Sequence, residues 1–170
     1  SPRAGSSRCP PRRALVSALV DRAALAAELP ALRAKGELSR VVLANGCFDL
    51  LHVGHVRYLS DAASRGDLLV VALNTDESVA RLKGPSRPVI TLDDRAEIIG
   101  ALACVGRVTS FDEETLEETL RALLPEVHAK GTDYTPETLP ERGVDEELGI
   151  EIAICGDPKT RSSSDYISEA

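Results

Sequence analysis

The sequence predicts an α/β fold: an open parallel sheet of five strands with helices on both faces. Apolar runs of strand length alternate with segments of helical periodicity, the pattern of parallel strands joined by helical crossovers. Residues 68–73 are continuously apolar, as expected of a strand buried on both faces. Glycines and polar residues follow the predicted strands. Since ligands bind beyond the carboxyl ends of the strands in such Rossmann-like sheets, the same pattern predicts where a site lies.

The elements can be predicted in order from their periodicity and end signals. Leu25, Leu29 and Leu32 recur at helical spacing, and Gly36 supplies a residue suited to ending that helix. Capping residues predict later helix starts, among them Thr115 before an acidic residue three positions on. The predicted strands are 40–45, 68–73, 105–111, 127–130 and 150–155. The predicted helices are 21–35, 52–65, 75–82, 91–102, 115–124, one beginning near Pro136, and 162–169; Gly84 and two prolines predict a loop over 83–88.

Composition excludes several classes of function. The 170 residues carry a net charge of −7 with no basic stripe, which argues against a nucleic-acid partner. No apolar stretch approaches the ~20 residues of a membrane span. The four cysteines form no C-x-x-C pair, so we expect reduced thiols and a cytoplasmic location.

The domain organisation is predicted to be simple. Residues 1–20, which begin with a segment rich in Ser, Pro, Gly and Arg, read as a disordered lead-in or the remnant of a tag. Residues 21–170 then form one domain. The absence of methionine indicates a processed chain or a piece of a longer polypeptide.

The most informative motif is His52-Val53-Gly54-His55, which follows the apolar run ending in Asn45-Gly46. Residues three apart share a helix face, and a helix N-terminus presents N–H groups and positive dipole that attract phosphate. Gly54 leaves space for a ligand to approach the backbone. Two imidazoles in this setting predict a site for a nucleoside polyphosphate.

The segment from Asn45 to Leu59 reads NGCFDLLHVGHVRYL and resembles the H-x-G-H nucleotidyltransferase superfamily, the cytidylyltransferase-like group. More narrowly, it is similar to the D-glycero-β-D-manno-heptose 1-phosphate adenylyltransferases, which in many bacteria form the C-terminal half of a bifunctional sugar kinase/adenylyltransferase. The resemblance runs from about residue 25 to 167, with further matches at 73–79, 82–89, 95–97 and 130–134.

The resemblance implies an enzyme that transfers AMP from ATP to a sugar 1-phosphate, with pyrophosphate as leaving group and an ADP-sugar as product. It implies Mg²⁺ held mainly by phosphate oxygens and water rather than by protein ligands. It also implies a homodimer and fusion to, or cooperation with, a sugar kinase.

Roles follow from the matched motifs. His52 and His55 are assigned to the triphosphate, and Lys83 to the bridging phosphates, as the catalytic residues. Nucleotide contacts are assigned to Asn45, Gly46, Cys47, Phe48, Gly54, Arg95, Gly131, Asp133, Tyr134, Ser162, Ser163 and Ser164. Acceptor contacts are assigned to Asp49, Asp76 and Arg87; Asp49 is also a candidate to orient a histidine.

Other interpretations stay open. The main rival is a CTP-dependent cytidylyltransferase acting on glycerol 3-phosphate or a similar small phosphate; another is a non-catalytic nucleotide-sensing module. A fragment of a tRNA-charging enzyme is disfavoured because no lysine-rich second signature follows. A zinc site formed by Cys47, His52 and His55 is a further alternative, but the spacing resembles no common zinc finger and no fourth ligand is evident. Plainer roles exist too: Lys83 in a solvated loop, Arg95 and Glu97 as helix-surface charges, the serines as a cap, Asp133 in a turn, and His128 as structural.

Overall fold

The computed structural model describes residues 19–158, and the prediction of a parallel five-stranded sheet is confirmed. The strands are β1 (Val41–Gly46), β2 (Leu68–Asn74), β3 (Arg107–Phe111), β4 (Val127–Gly131) and β5 (Glu151–Cys155). The helices in the described part are α1 (Arg22–Ala34), α2 (Val53–Ala63), α3 (Asp76–Lys83), α4 (Leu92–Gly100), α5 (Glu117–Leu123) and α6 (Arg142–Leu148).

The strand order is β3-β2-β1-β4-β5, and every pairing is parallel. The chain moves outward from β1 through β2 to β3, then returns to place β4 on the opposite side of β1. In register, Leu43 of β1 lies opposite Val70 on one side and His128 on the other. The order therefore reverses between β1 and β4, and that reversal opens a crevice at the carboxyl ends of the strands.

Helices cover both faces of the sheet, as predicted. Because side chains alternate along a strand, Val42 and Ala44 face one layer while Val41 and Leu43 face the other. The first layer includes Leu59 and Ala62 of α2 and Ala96 and Ile99 of α4. The second includes Leu25 and Leu29 of α1, Leu120 of α5 and Val144 of α6. The site described below therefore has α2 on one side of the strands and α6 on the other.

Local signals predicted some helix ends correctly. Thr75 Oγ1 accepts from Ser78 N–H and Thr91 Oγ1 from Asp94 N–H, so both threonines cap helices. Gly36, with φ of +69°, follows the end of α1 as predicted. The loop predicted over 83–88 is wrong at its first residue: α3 extends through Lys83, because Gly84 N–H still donates to Ala80 O at 2.9 Å.

Two predicted helix starts are wrong. The N-cap position of α5 is Leu116, which makes no side-chain cap hydrogen bond, so Thr115 caps nothing there. The helix expected near Pro136 is absent: Thr135 N–H donates to Thr138 Oγ1 at 2.9 Å in a local turn, and α6 begins later, at Arg142. The predicted helix over 162–169 and most of the predicted lead-in lie outside the described residues.

Within residues 19–158, each helix is too short or too polar to span a bilayer.

Candidate active site

The turn after β1 is shaped around the ring of Phe48. Phe48 adopts a left-handed backbone with φ of +47°, unusual for a residue with a side chain. Its buried ring contacts His55 edge-on, with ring centroids 5.1 Å apart, and stacks on Tyr58 at 6.4 Å. A Cβ at Gly46 would lie 2.9 Å from Phe48 Cε2, so only glycine fits there without a shift. The turn thus packs the Phe48 ring against His55.

The two histidines form a stacked pair at the start of α2. Their ring centroids are 3.8 Å apart, with 28° between the planes. His52 Nδ1 accepts from Gly54 N–H at 3.1 Å, and His55 Nδ1 accepts from His52 N–H at 3.3 Å. Because both Nδ1 atoms accept, each neutral ring carries its proton on Nε2. The capping pattern therefore sets two imidazoles as Nε2–H donors.

Gly54 makes space for the His52 ring. A Cβ at this position would lie 2.9 Å from His52 Cε1 and 3.0 Å from Nδ1. The glycine between the histidines therefore lets the His52 ring take this orientation, a reason the sequence alone did not show.

The histidines open onto a cavity of about 720 Å³ at the carboxyl edge of the sheet. Its lining comes from the end of β1 and the start of α2, from Lys83 at the end of α3, and from the segment after β4. A volume of several hundred Å³ suits a nucleotide-sized ligand. The cavity therefore lies where the sequence predicted a site, at the reversal of strand order.

The wall opposite α2 carries a buried lysine. Lys130 Nζ donates to Asn45 Oδ1 at 3.1 Å, joining β4 to β1 across the crevice. The ammonium lies 4.8 Å from the centre of the Tyr134 ring and 3.7 Å from Glu141 Oε2. Burial lowers the pKa of Lys130, and the nearby Glu141 carboxylate only partly offsets this. This wall is polar and charged although it is largely shielded from water.

A buried carboxylate ties the turn after β1 to the segment that follows Lys83. Asp49 accepts from Val89 N–H at 2.8 Å, from Ile90 N–H at 2.9 Å and from Arg87 Nε. Burial alone would raise the pKa of Asp49, but these donors outweigh it and hold the pKa below its ordinary value. Asp49 therefore serves as an anchor for the chain after α3.

A buried arginine makes a second tie between the same parts of the chain. Arg95 donates to Cys47 O at 2.7 Å, to Ile90 O at 3.0 Å and to Asp76 Oδ1 at 2.7 Å, and its side chain is fully buried. Together Asp49 and Arg95 hold the turn that carries the histidines against the segment that follows Lys83.

A sequence model of the cytidylyltransferase-like family matches residues 43–167, which is most of the chain and contains the turn, both histidines and the lysine wall. The chain belongs to the cytidylyltransferase-like family.

Similar proteins support this placement of the cytidylyltransferase-like domain. The bifunctional protein HldE of Azorhizobium caulinodans is 48% identical over 153 residues, which cover 90% of this chain and 32% of the relative. The bifunctional protein HldE of Hydrogenovibrio crunogenus is 51% identical over 122 residues, covering 72% of this chain and 25% of the relative. The chain thus spans about a quarter to a third of the length of these curated relatives.

A solved structure shares the fold of this cytidylyltransferase-like domain. It is the crystal structure of the lipopolysaccharide core biosynthesis protein from Thermoplasma volcanium, with a TM-score of 0.60 and 27% sequence identity. The match covers 71% of this chain and 98% of that chain.

Most of the residues predicted for the site line the cavity. These are Asn45, Gly46, Cys47, Phe48, His52, Gly54, His55, Lys83, Gly131, Asp133 and Tyr134. Four others lie outside the lining and belong to the ties described above, namely Asp49, Asp76, Arg87 and Arg95. Glu97 lies at a second, shallower hollow on α4. Ser162, Ser163 and Ser164 lie outside the described residues.

Hydrogen bonds and ion pairs explain why Asp49, Asp76, Arg87 and Arg95 lie outside the cavity lining. Arg95 is not the helix-surface charge considered as its plainer role, because its guanidinium is enclosed by backbone carbonyls and Asp76. Arg87 meets the Asp49 carboxylate instead of facing the cavity. His128 is fully buried and pairs with Asp145 of α6 at 2.9 Å, which confirms the structural role predicted for it.

Sequence reasoning gave no role to several residues that line the cavity, and the buried charged ones among them are Lys130 and Glu141. Lys130 is a charged residue within a short apolar strand, two positions after the buried His128, and that anomaly was a usable signal. Glu141 gave no signal, because it stands in a polar stretch and reaches Lys130 only in the folded chain. Among residues 19–158, no group of three or more His, Cys, Asp or Glu side chains forms a metal-binding cluster, so Cys47 and the histidines make no such set.

Proposed function

We propose that this domain transfers AMP from ATP to a sugar 1-phosphate, specifically a heptose 1-phosphate, and releases pyrophosphate. The sequence motifs resemble heptose 1-phosphate adenylyltransferases, and the curated relatives are named bifunctional protein HldE. The solved neighbour, a lipopolysaccharide core biosynthesis protein, supports a sugar-nucleotide role of the same kind.

The observation that carries the proposal is the stacked imidazole pair on the wall of the cavity. Two Nε2–H donors at a helix N-terminus suit oxygens of a polyphosphate, and Lys83 lines the same cavity with a positive charge. No serine or cysteine nucleophile is needed, because the acceptor brings its own phosphate oxygen.

The proposed reaction is a direct displacement at phosphorus and forms no covalent intermediate with the protein. An oxygen of the acceptor phosphate forms a bond to the α-phosphorus of ATP, and the bond from that phosphorus to the α,β-bridging oxygen breaks. The electron pair leaves with pyrophosphate, and the product is an ADP-sugar. The histidines and Lys83 offset the negative charge that grows on the leaving group, and the cavity aligns two anions that otherwise repel each other.

Mg²⁺ belongs to this proposal as part of the nucleotide complex. The imidazoles of His52 and His55 and the ammonium of Lys83 suit phosphate oxygens better than they suit a hard cation. The site therefore fits a magnesium ion that is held by phosphates and water. When bound, the ion would neutralise part of the triphosphate charge.

The test is pyrophosphate release from the purified domain with ATP and a panel of sugar 1-phosphates that includes heptose 1-phosphate. We expect turnover with a heptose 1-phosphate and an ADP-sugar of matching mass. Failure of every sugar phosphate to support turnover, with the nucleotide still bound, would leave the non-catalytic sensing module as the better interpretation.

A second candidate is a CTP-dependent cytidylyltransferase acting on glycerol 3-phosphate or another small phosphate; the cytidylyltransferase-like family supports the nucleotide in this alternative and not the acceptor. ATP and CTP compared side by side, each with both acceptors, separate the two. A clear preference for CTP would remove the primary proposal.

We also propose a partner, an oligomeric state and a cellular location for the enzyme. The curated relatives are bifunctional and much longer, which supports a sugar kinase as fused or separate partner. We propose a homodimer, to be checked by sedimentation. Three free thiols among the described residues suit a reducing, cytoplasmic compartment.

A further inference from the structure

The segment 112–116, which joins β3 to α5, forms the wall of the cavity beyond the ends of β2 and β3. Glu114, Thr115 and Leu116 line the cavity, together with Phe111 at the end of β3. Leu116 and Phe111 are buried, whereas Glu114 is exposed and Thr115 is partly exposed. The polar side chains that this wall offers to a ligand are therefore those of Glu114 and Thr115.

Neighbouring elements hold the segment at both ends. At its start, Thr75 N–H donates to Phe111 O at 3.0 Å. At its end, Leu116 N–H donates to the buried Glu141 carboxylate, with Oε1 at 3.1 Å. A segment fixed in this way keeps its place before a ligand arrives, so little ordering is needed when one binds.

Arginines neutralise two of the three acidic residues in the segment. Arg81 Nη2 of α3 lies 3.1 Å from Asp112 Oδ1, and Arg22 Nη2 of α1 lies 2.7 Å from Glu113 Oε1. In the part of the chain that the structure describes, the Glu114 carboxylate has neither an ion-pair nor a hydrogen-bond partner. The wall thus keeps one uncompensated negative charge at the cavity.

This pair of side chains selects a chemical class. A carboxylate only accepts hydrogen bonds, so the group that binds Glu114 must donate. The Thr115 hydroxyl, which also has no partner among the described residues, donates or accepts. A phosphate is repelled by the carboxylate and gives it no donor, whereas neighbouring hydroxyls of a sugar satisfy both side chains. The wall therefore suits a neutral group rich in hydroxyls.

The position of the wall indicates which substrate supplies those hydroxyls. The ends of β3 and β4 lie three strand spacings apart, roughly 14 Å, and the turn that carries the histidines lies between them. On the β4 side, the 36% exposed ring of Tyr134 provides a surface for stacking a base. On the β3 side, the Phe111 ring is buried. With the phosphates at the histidines, the nucleoside occupies the β4 side and the acceptor the β3 side.

We propose that Glu114 and Thr115 form the subsite that binds the hydroxyls of the acceptor sugar. The Glu114 carboxylate accepts from sugar hydroxyls, and Thr115 Oγ1 makes a further hydrogen bond to the same part of the sugar. This inference rests on the proposed function and deepens it. Both residues act on the part of the acceptor remote from the reacting phosphate, so they determine specificity and take no part in the displacement.

The experiment compares Glu114→Gln and Thr115→Val with the unchanged domain in steady-state pyrophosphate release. We expect KM for the acceptor to rise about 10-fold in Glu114→Gln and about 5-fold in Thr115→Val, because hydrogen bonds to the sugar are lost. KM for ATP stays within about 2-fold. Glu118→Gln, at an exposed position of α5 outside the cavity lining, is the matched control and changes neither constant.

Substrate analogues identify the bound group. Among acceptors that each lack one hydroxyl, the unchanged domain discriminates against at least one by about 10-fold in kcat/KM, and Glu114→Gln loses that discrimination. If Glu114→Gln instead raises KM for ATP, or loses discrimination against 2′-deoxy-ATP, the wall contacts the nucleotide and the inference is overturned. It is also overturned if the domain prefers phosphoethanolamine to sugar phosphates and Glu114→Gln abolishes that preference, because the bound group is then an ammonium.

The inference and the proposed function can fail separately. A Glu114→Gln variant with the thermal midpoint of the control that keeps its acceptor KM overturns the inference, while turnover of the sugar phosphate by the unchanged domain still supports the proposed function. If Glu114→Gln does not fold, Thr115→Val decides the question by the same constants. An unchanged domain that binds ATP but turns over no sugar phosphate removes the proposed function and this inference with it.

Discussion

Backbone N–H groups orient both rings of the histidine pair. His52 caps α2 through Nδ1, and His55 accepts from the His52 N–H through the same ring atom. Each ring is thereby fixed in orientation and in tautomer before any ligand binds, so no reorganisation is needed when phosphate charge develops. The fit of Gly54 against His52 shows how little space this arrangement leaves.

Replacement of His55 by alanine tests this arrangement most directly. We expect turnover to fall by about 10²-fold or more, because a preorganised donor to the leaving group is lost. Folding should change little, since His55 is only partly buried at the start of its helix. Steady-state kinetics with a thermal melt measures both, and unchanged kcat in a folded variant would contradict the assignment.

Lys83 allows a matched comparison between two lysines. Lys83 ends α3 at the cavity, whereas Lys35 follows α1, and it is absent from the cavity lining. Lys83→Ala should lower turnover by about 10²-fold through loss of a cation near the phosphates, while Lys35→Ala should not. Equal effects of the two substitutions on kcat/KM would show that Lys83 has no special role.

At the scale of elements, Asp49 and Arg95 join the turn after β1 to the chain between α3 and α4. Both are buried, and between them they satisfy backbone groups of Cys47, Val89 and Ile90. Neither lines the cavity, so we expect both to act by fixing where the histidines and Lys83 lie relative to each other.

The cost of losing this tie can be measured with Arg95→Leu. Two buried carbonyl oxygens lose their donor, and we expect a loss of about 3 kcal/mol in unfolding free energy; the part-exposed Asp76 adds little because water can replace the arginine. Arg142→Leu, at an exposed i,i+4 pair, should cost about 0.5 kcal/mol or less. Urea unfolding of both variants gives the comparison, and similar losses would mean that the tie is not structural.

The elements were predictable wherever a local signal agreed with the packing. Apolar runs predicted all the observed strands, and Thr75 and Thr91 predicted two helix starts, because these signals act within a few residues. Thr115 and Pro136 offered equally good local signals. Thr115 instead lines the cavity, and Pro136 lies in a turn that is closed by the hydrogen bond from Thr135 N–H to Thr138 Oγ1.

The candidate site was predictable for residues that follow strands, and much less so for residues recruited from elsewhere. The positions after β1 and β4 converge because parallel strands end at one edge. Asp49 accepts from Val89 N–H, 40 positions on, and Arg95 donates to Cys47 O, 48 positions back. Glu141 reaches Lys130 from the start of α6. Such contacts depend on how helices pack, which spacing along a chain does not encode.

At the scale of the whole molecule, acidic side chains govern stability at low pH. Hydrogen bonds from hydroxyls, backbone N–H groups and arginines hold the pKa values of several carboxyls below their ordinary range, in the described part at Asp49, Asp61, Asp67, Asp112 and Glu113. A carboxyl with a depressed folded-state pKa stabilises the fold above its unfolded pKa, near 3.9 for Asp. That stability is lost as pH falls through the folded value.

The thermal midpoint should therefore drop steeply as pH is lowered from about 5 to 3. Asp49→Asn should lower the midpoint at pH 6, where the carboxylate is charged, and the gap between variant and unchanged domain should narrow at pH 3. Melts across this range measure the effect. A gap that widens in acid would mean that Asp49 does not stabilise the fold through its charge.

The reversal of strand order between β1 and β4 also bears on how the protein is made. Asn45 and Lys130, which meet across that crevice, stand 85 positions apart. A ribosome that has released the chain only as far as β3 has already delivered both histidines, yet the facing wall is still unsynthesised. A growing polypeptide thus exposes its histidine pair before the facing wall exists, and the cavity is complete only when the second half of the domain packs beside the first.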